Sequence, residues 1–69
     1  MANFNERLKE CRKKVNLRQE DVVTGVGIAY STYRRYERGG IEPTLSDAAR
    51  IADFYNVSLD YLAGRTDDP

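Results

Sequence analysis

Sixty-nine residues with eleven Lys/Arg, eleven Asp/Glu and no histidine carry zero formal charge, and a chain of this size leaves only about 3 to 5 kcal/mol of net stability from one core. A single cysteine excludes an intrachain disulfide and, with no Cys/His ligand set, neither structural zinc nor any other metal site is expected. No apolar run approaches the roughly 18 residues of a membrane span and the N-terminus lacks a signal-peptide pattern, so a soluble cytoplasmic protein without membrane contact is expected.

Residues 1–3 read as a frayed start, with Asn3 or Asn5 as the N-cap of a first helix. Phe4, Leu8, Cys11 and Val15 then recur at i, i+4, i+7 and i+11 as one apolar stripe, which makes Cys11 a core thiol. Arg12, Lys13 and Lys14 fill the last turn, where positive charge suits the helix dipole. Asn16 stops the helix, since asparagine tolerates the left-handed conformation, and Leu17 turns back to the core.

A second helix follows from Gln19, with Val22 and Val26 inward and Gly25 as a weak point of about 0.5 to 1 kcal/mol relative to alanine. Gly27 breaks the pattern, and Ile28, Tyr33 and Tyr36 resume it in a new phase, which is a helix-turn-helix signal. The third helix runs from Ala29 or Tyr30 to Arg38 and ends at Gly39-Gly40. Residues 39–43 form a loop. Pro43 leads into a fourth helix, where Thr44 and Asp47 have capping-box spacing and Leu45, Ala48, Ile51, Ala52 and Tyr55 form the inward stripe. Asn56 ends it, Ser58 caps a short fifth helix bearing Leu59 and Leu62, and Gly64 terminates that, leaving Arg65 to Pro69 as a polar, mobile tail.

The stretch Gln19–Gly39 carries a family resemblance. With Gln19 first, apolar residues fall at positions four, eight, ten, fifteen and eighteen, the turn glycine Gly27 is ninth, and Glu37-Arg38-Gly39 closes the unit. This order resembles the Cro and phage-repressor, or xenobiotic-response-element, family. The resemblance extends over residues 4–64 and includes Pro43, the Leu45 helix and Val57-Ser58-Leu59-Asp60. It implies an all-α, compact five-helix, lambda-repressor-like domain with a helix-turn-helix, occupying the whole chain. At Arg18 the chain departs from the Ser or Thr with which the family caps its second helix, a loss of about 1 kcal/mol that Glu20 and Asp21 partly offset.

Charge distribution bears on a partner. Between Arg7 and Arg38 stand nine Lys/Arg against four acidic residues, whereas the remaining segments hold two against seven. Such asymmetry fits a basic DNA-facing half and an acidic far side; the blander alternative is ordinary surface charge. A recognition helix needs exposed residues early in its length, because only the major groove distinguishes all four base pairs. With Tyr33 and Tyr36 inward, Tyr30, Ser31, Arg34 and Arg35 are the candidate base readers, with Ala29 and Thr32 at the edge. Arg34 or Arg35 suits guanine, Ser31 a base or phosphate, and Tyr30 a thymine methyl; the bland alternative is a solvated helix face.

Phosphate candidates are Gln19, Arg12, Thr32, Arg38, Gly39 and Gly40. The resemblance assigns a phosphate contact to Gln19 and an ion pair to Arg12 and Glu37, either partly shielded and orienting Arg12, or exposed and contributing about 0 to 1 kcal/mol. Phe54, Leu59 and Tyr61 form a candidate homodimer patch, or else Phe54 and Tyr61 seal the core. The expectation is a sequence-specific, dimeric transcriptional regulator on a double-stranded operator, with no cofactor and no small-molecule ligand. The alternative is a protein-interaction module such as an antitoxin or anti-regulator on the same fold. No nucleophile-and-base constellation supports an enzyme.

Overall fold

A computed structural model describes residues 3–69 and contains five helices: α1 (Phe4–Lys14), α2 (Gln19–Val26), α3 (Tyr30–Arg38), α4 (Leu45–Tyr55) and α5 (Leu59–Leu62). The start expected to fray at residues 1 and 2 lies outside the described residues, and no described helix is long and apolar enough to cross a membrane. Three helices begin on side-chain caps. Asn3 Oδ1 accepts the Glu6 N–H at 3.2 Å, Thr44 Oγ1 the Asp47 N–H at 3.1 Å, and Ser58 Oγ the Tyr61 N–H at 3.0 Å. Asn16 and Asn56 both adopt positive φ, 56° and 57°, and reverse the chain after α1 and α4.

The second helix starts differently. Arg18 has no acceptor with which to satisfy the first amides, so the Asp21 carboxylate reaches back instead and accepts from the Arg18 backbone N–H at 3.2 Å. Only half of a capping box is made. The Thr44/Asp47 box is also one-way, because the Asp47 carboxylate turns inward and accepts the Tyr36 hydroxyl at 2.6 Å.

The core gathers one face from each helix: Leu8 and Cys11 from α1, Val22 and Val26 from α2, Tyr33 and Tyr36 from α3, Ile51 and Ala52 from α4, Tyr61 and Leu62 from α5, with Ile28 from the turn. Leu8, Val22, Tyr33 and Ile51 are wholly inaccessible. Two apolar residues assigned to inward stripes are corrected. Val15 is 48% exposed because α1 ends at Lys14 and Val15 is its C-cap. Leu45 is 78% exposed, because it is the first residue of α4 and lies before the stripe engages the core.

Arg7, counted in the charge of the basic half, is in fact buried. Its guanidinium carbon lies 4.1 Å from the centroid of the Tyr61 ring, and its charge is met by Asp67. Tyr61 is consequently a core residue roofed by Arg7 and is withdrawn from any outer patch. The Asp67 contact, together with the Ser58 N–H donating to the Pro69 carbonyl at 2.9 Å, fastens residues 65–69, expected as a mobile tail, at two points.

Gly25 is more than a weak helix former. A Cβ built there would stand 2.5 Å from Cε1 of Phe54, so the ring of α4 occupies the space that a side chain on α2 would need. We therefore expect Gly25→Ala to destabilise the fold by about 1 to 3 kcal/mol despite alanine's better helix propensity. In a Phe54→Leu background the same change should become neutral or favourable. Urea unfolding of the four proteins checks this, and a stabilising Gly25→Ala in the wild-type background would contradict it.

Candidate nucleic-acid interface

The turn between α2 and α3 is three residues long. Gly27 caps α2 at φ 76° in the left-handed region, which reverses the chain within one residue, and Ile28 drops into the core beside it. Ala29 then opens α3. Nine residues of α3 divide cleanly by helical period: Tyr33, Tyr36 and Glu37 are buried, Thr32 is intermediate, and Tyr30, Ser31, Arg34, Arg35 and Arg38 are exposed.

The buried side is anchored at polar tips as well as by apolar area. The Tyr33 and Tyr55 hydroxyls meet at 2.7 Å, tying α3 to α4, and Tyr36 ends on Asp47 while its ring packs edge-on against Phe4, with centroids 6.0 Å apart. Burial and hydrogen bonding push the Tyr33 hydroxyl far above its ordinary range, so it stays neutral.

Glu37 is the junction of three helices. Its side chain is 3% exposed, and its carboxylate accepts two N–H groups of Arg12 on α1, Nε at 2.8 Å and Nη2 at 3.1 Å, and the amide of Gln19 on α2 at 3.2 Å. Arg12 also donates Nη1 to the Leu17 carbonyl at 3.1 Å. Three of its N–H groups are thus engaged and two remain, so Arg12 is held in one orientation. The ion pair is the shielded one of the two forms expected. Burial alone would raise the Glu37 carboxyl, but the hydrogen bonds from Arg12 and Gln19 outweigh it and hold it below its ordinary range.

The other candidates fall into place around this junction. Gln19 is the first residue of α2, half-buried, with one amide N–H directed to Glu37. Arg18 is engaged by its own helix, with Nη1 3.0 Å from Glu20 and Nε 3.2 Å from Asp21. Gly39 adopts φ 89° as the C-cap of α3, and both the Gly39 and Gly40 N–H groups donate back to the Arg35 carbonyl, at 3.1 and 3.3 Å. Those two amides are therefore occupied, which leaves the exposed Arg38 side chain as the donor at this end. Phe54 and Leu59, read as one patch with Tyr61, line separate concavities: Phe54 lies beside Gly25 and Arg50, and Leu59 beside Pro43, Leu45 and Ala48.

Sequence reasoning overlooked one contact on the outer face. The Arg34 guanidinium carbon lies 5.6 Å from the centroid of the Tyr30 ring. The signal was present, since the two residues are four apart on a helix.

Five helices, the second and third joined through a left-handed glycine and the third turning arginines outward, define a helix-turn-helix domain. The helix-turn-helix family profile matches residues 8–62, and the chain belongs to this family, in its Cro/C1 type. It is 41% identical to the HTH-type transcriptional regulator YobD of Bacillus subtilis over 66 residues, covering 96% of this chain and 59% of that protein. Against the cryptic phage CTXphi transcriptional repressor RstR of Vibrio cholerae it is 38% identical over 62 residues, covering 90% of this chain and 55% of RstR. The chain thus spans little more than half the length of these relatives. Among solved structures, the P22 c2 repressor in complex with a synthetic operator superposes with a TM-score of 0.84 at 27% identity, covering 91% of this chain and 96% of that one.

Because the Glu37 carboxyl is lowered from 4.5 on folding, the unfolded chain binds its proton more readily, and the stability it contributes is complete above about pH 4.5 and lost as pH falls through the folded value. Glu37→Gln should abolish that part of the acid dependence. Arg12→Ala should lower stability at pH 7 by about 3 kcal/mol, because it strands a buried carboxylate. Thermal unfolding between pH 3 and pH 7 measures both; parallel profiles for wild type and Glu37→Gln would refute the assignment.

Proposed function

We propose that this chain is the sequence-specific DNA-binding domain of a transcriptional regulator, acting as a repressor by occupying a double-stranded operator as a dimer, without cofactor, small-molecule ligand or catalysis. One observation carries the reading. The outer side of α3 presents Tyr30, Ser31, Arg34 and Arg35 to solvent while its inner side is fixed by Tyr33, Tyr36 and Glu37. Laid in the major groove, such a face sets guanidinium groups against guanine O6 and N7, and Ser31 and Tyr30 against neighbouring edges. The P22 c2 repressor solved on an operator and the phage repressor RstR support it.

Phosphates on either side would be held by Gln19 at the start of α2, where the first N–H groups lack helical partners, and by Thr32 and Arg38 along α3. Arg12 would act largely through Gln19, because both converge on Glu37. Gly39 and Gly40 contribute close approach of the main chain rather than amide donors.

An inverted-repeat operator would call for two copies. The longest dimension of the domain is 27 Å, short of the 34 to 36 Å that about one helical turn puts between half-sites, so reading two half-sites requires a second copy. Leu59, 42% exposed, and Leu45, 78% exposed, flank an apolar concavity that the second copy would cover.

Arg34→Ala or Arg35→Ala should relax base preference at one position by about 1 to 3 kcal/mol, whereas Arg38→Ala or Gln19→Ala should weaken all sequences alike. Wild-type affinity should fall with salt at a log-log slope of about −0.9 per neutralised phosphate. Selection of bound fragments from random DNA tests these outcomes, and unchanged preference in both α3 variants would overturn the reading. Leu59→Asp should leave thermal unfolding nearly unchanged yet yield a monomer in sedimentation, with weaker binding to a palindromic site; dimers persisting at wild-type strength would place the interface elsewhere.

A further inference from the structure

Tyr30 and Arg34 occupy the same side of successive turns of α3, and the guanidinium lies over the phenol ring at 5.6 Å from its centroid. Among the described residues Arg34 makes no ion pair and no hydrogen bond, so this ring is the polar side chain's one specific neighbour. Arg35, also exposed, stands over no ring among the described residues. The difference matters because an arginine side chain has many rotamers in solution, whereas a phenol has only two torsions to fix.

A cation above an aromatic face is attracted perpendicular to the guanidinium plane, while guanidinium N–H groups donate within that plane. Stacking on Tyr30 therefore does not compete with a bidentate hydrogen bond to guanine. It narrows beforehand the arrangements that the arginine samples, at no cost to its donor edge. The geometry points to Tyr30 as a positioning residue for Arg34: it sets how strictly Arg34 demands guanine, beyond any contact of its own with a base. This inference rests on the reading of α3 as the base-reading helix.

The test is a thermodynamic cycle on an operator selected by the wild-type protein, comparing duplexes that carry each of the four bases at the position where Arg34→Ala loses preference. Tyr30→Ala should reduce the guanine preference there by about two- to fivefold, the strength of an exposed cation–π contact. Tyr30→Phe, which keeps the ring, should restore the preference. In an Arg34→Ala background Tyr30→Ala should have no further effect at that position. A guanine preference untouched by Tyr30→Ala, or an equal loss with and without Arg34, overturns the positioning role. A different result, Arg34→Ala leaving every base preference intact, removes the base-reading assignment itself and the inference with it.

Discussion

A buried carboxylate reached from three helices governs this structure. Glu37 sits at the end of α3 and is gripped by Arg12 of α1 and Gln19 of α2. Against an apolar replacement of similar volume, a buried ion pair commonly contributes little net stability. Its effect here is directional. A bidentate guanidinium and an amide accept only a narrow range of angles, whereas apolar contacts tolerate sliding, so the junction fixes how α1 and α2 are set against α3.

The same logic recurs on the inward side of α3. Both buried tyrosines end on a named oxygen, Tyr33 on Tyr55 and Tyr36 on Asp47, and both partners belong to α4. Phenylalanine would bury similar area without fixing rotation about the helix axis. Rotation decides which residues face out, because a turn of one residue's worth, about 100°, would carry Arg34 or Arg35, according to its sense, into a core position. Polar tips on large rings thus convert a packed helix into an aimed one.

Much of this was legible from spacing alone. Helix boundaries followed from Asn16, Gly27, Asn56 and the caps Asn3, Thr44 and Ser58, because each imposes a local backbone conformation that needs no tertiary knowledge. The division of α3 into faces followed from its period. What stayed hidden depended on neighbours distant in sequence. Arg7 looks solvated until Tyr61 and Asp67 are brought beside it, Gly25 looks defective until Phe54 fills its place, and Tyr61 looks outward until Arg7 covers it. Leu45 and Val15 were misjudged at helix ends, where a stripe continued by arithmetic has already left the core.

Exposed Arg34, Arg35 and Arg38 belong to α3, while residues after Arg38 include six carboxylates and two arginines, in a chain whose overall charge is zero. A body of that kind feels little net pull from a polyanion at long range but is subject to torque in its field. Within a Debye length, about 8 Å at physiological salt, rotation can precede contact, so that the neutral molecule arrives with its cationic helix already turned forward.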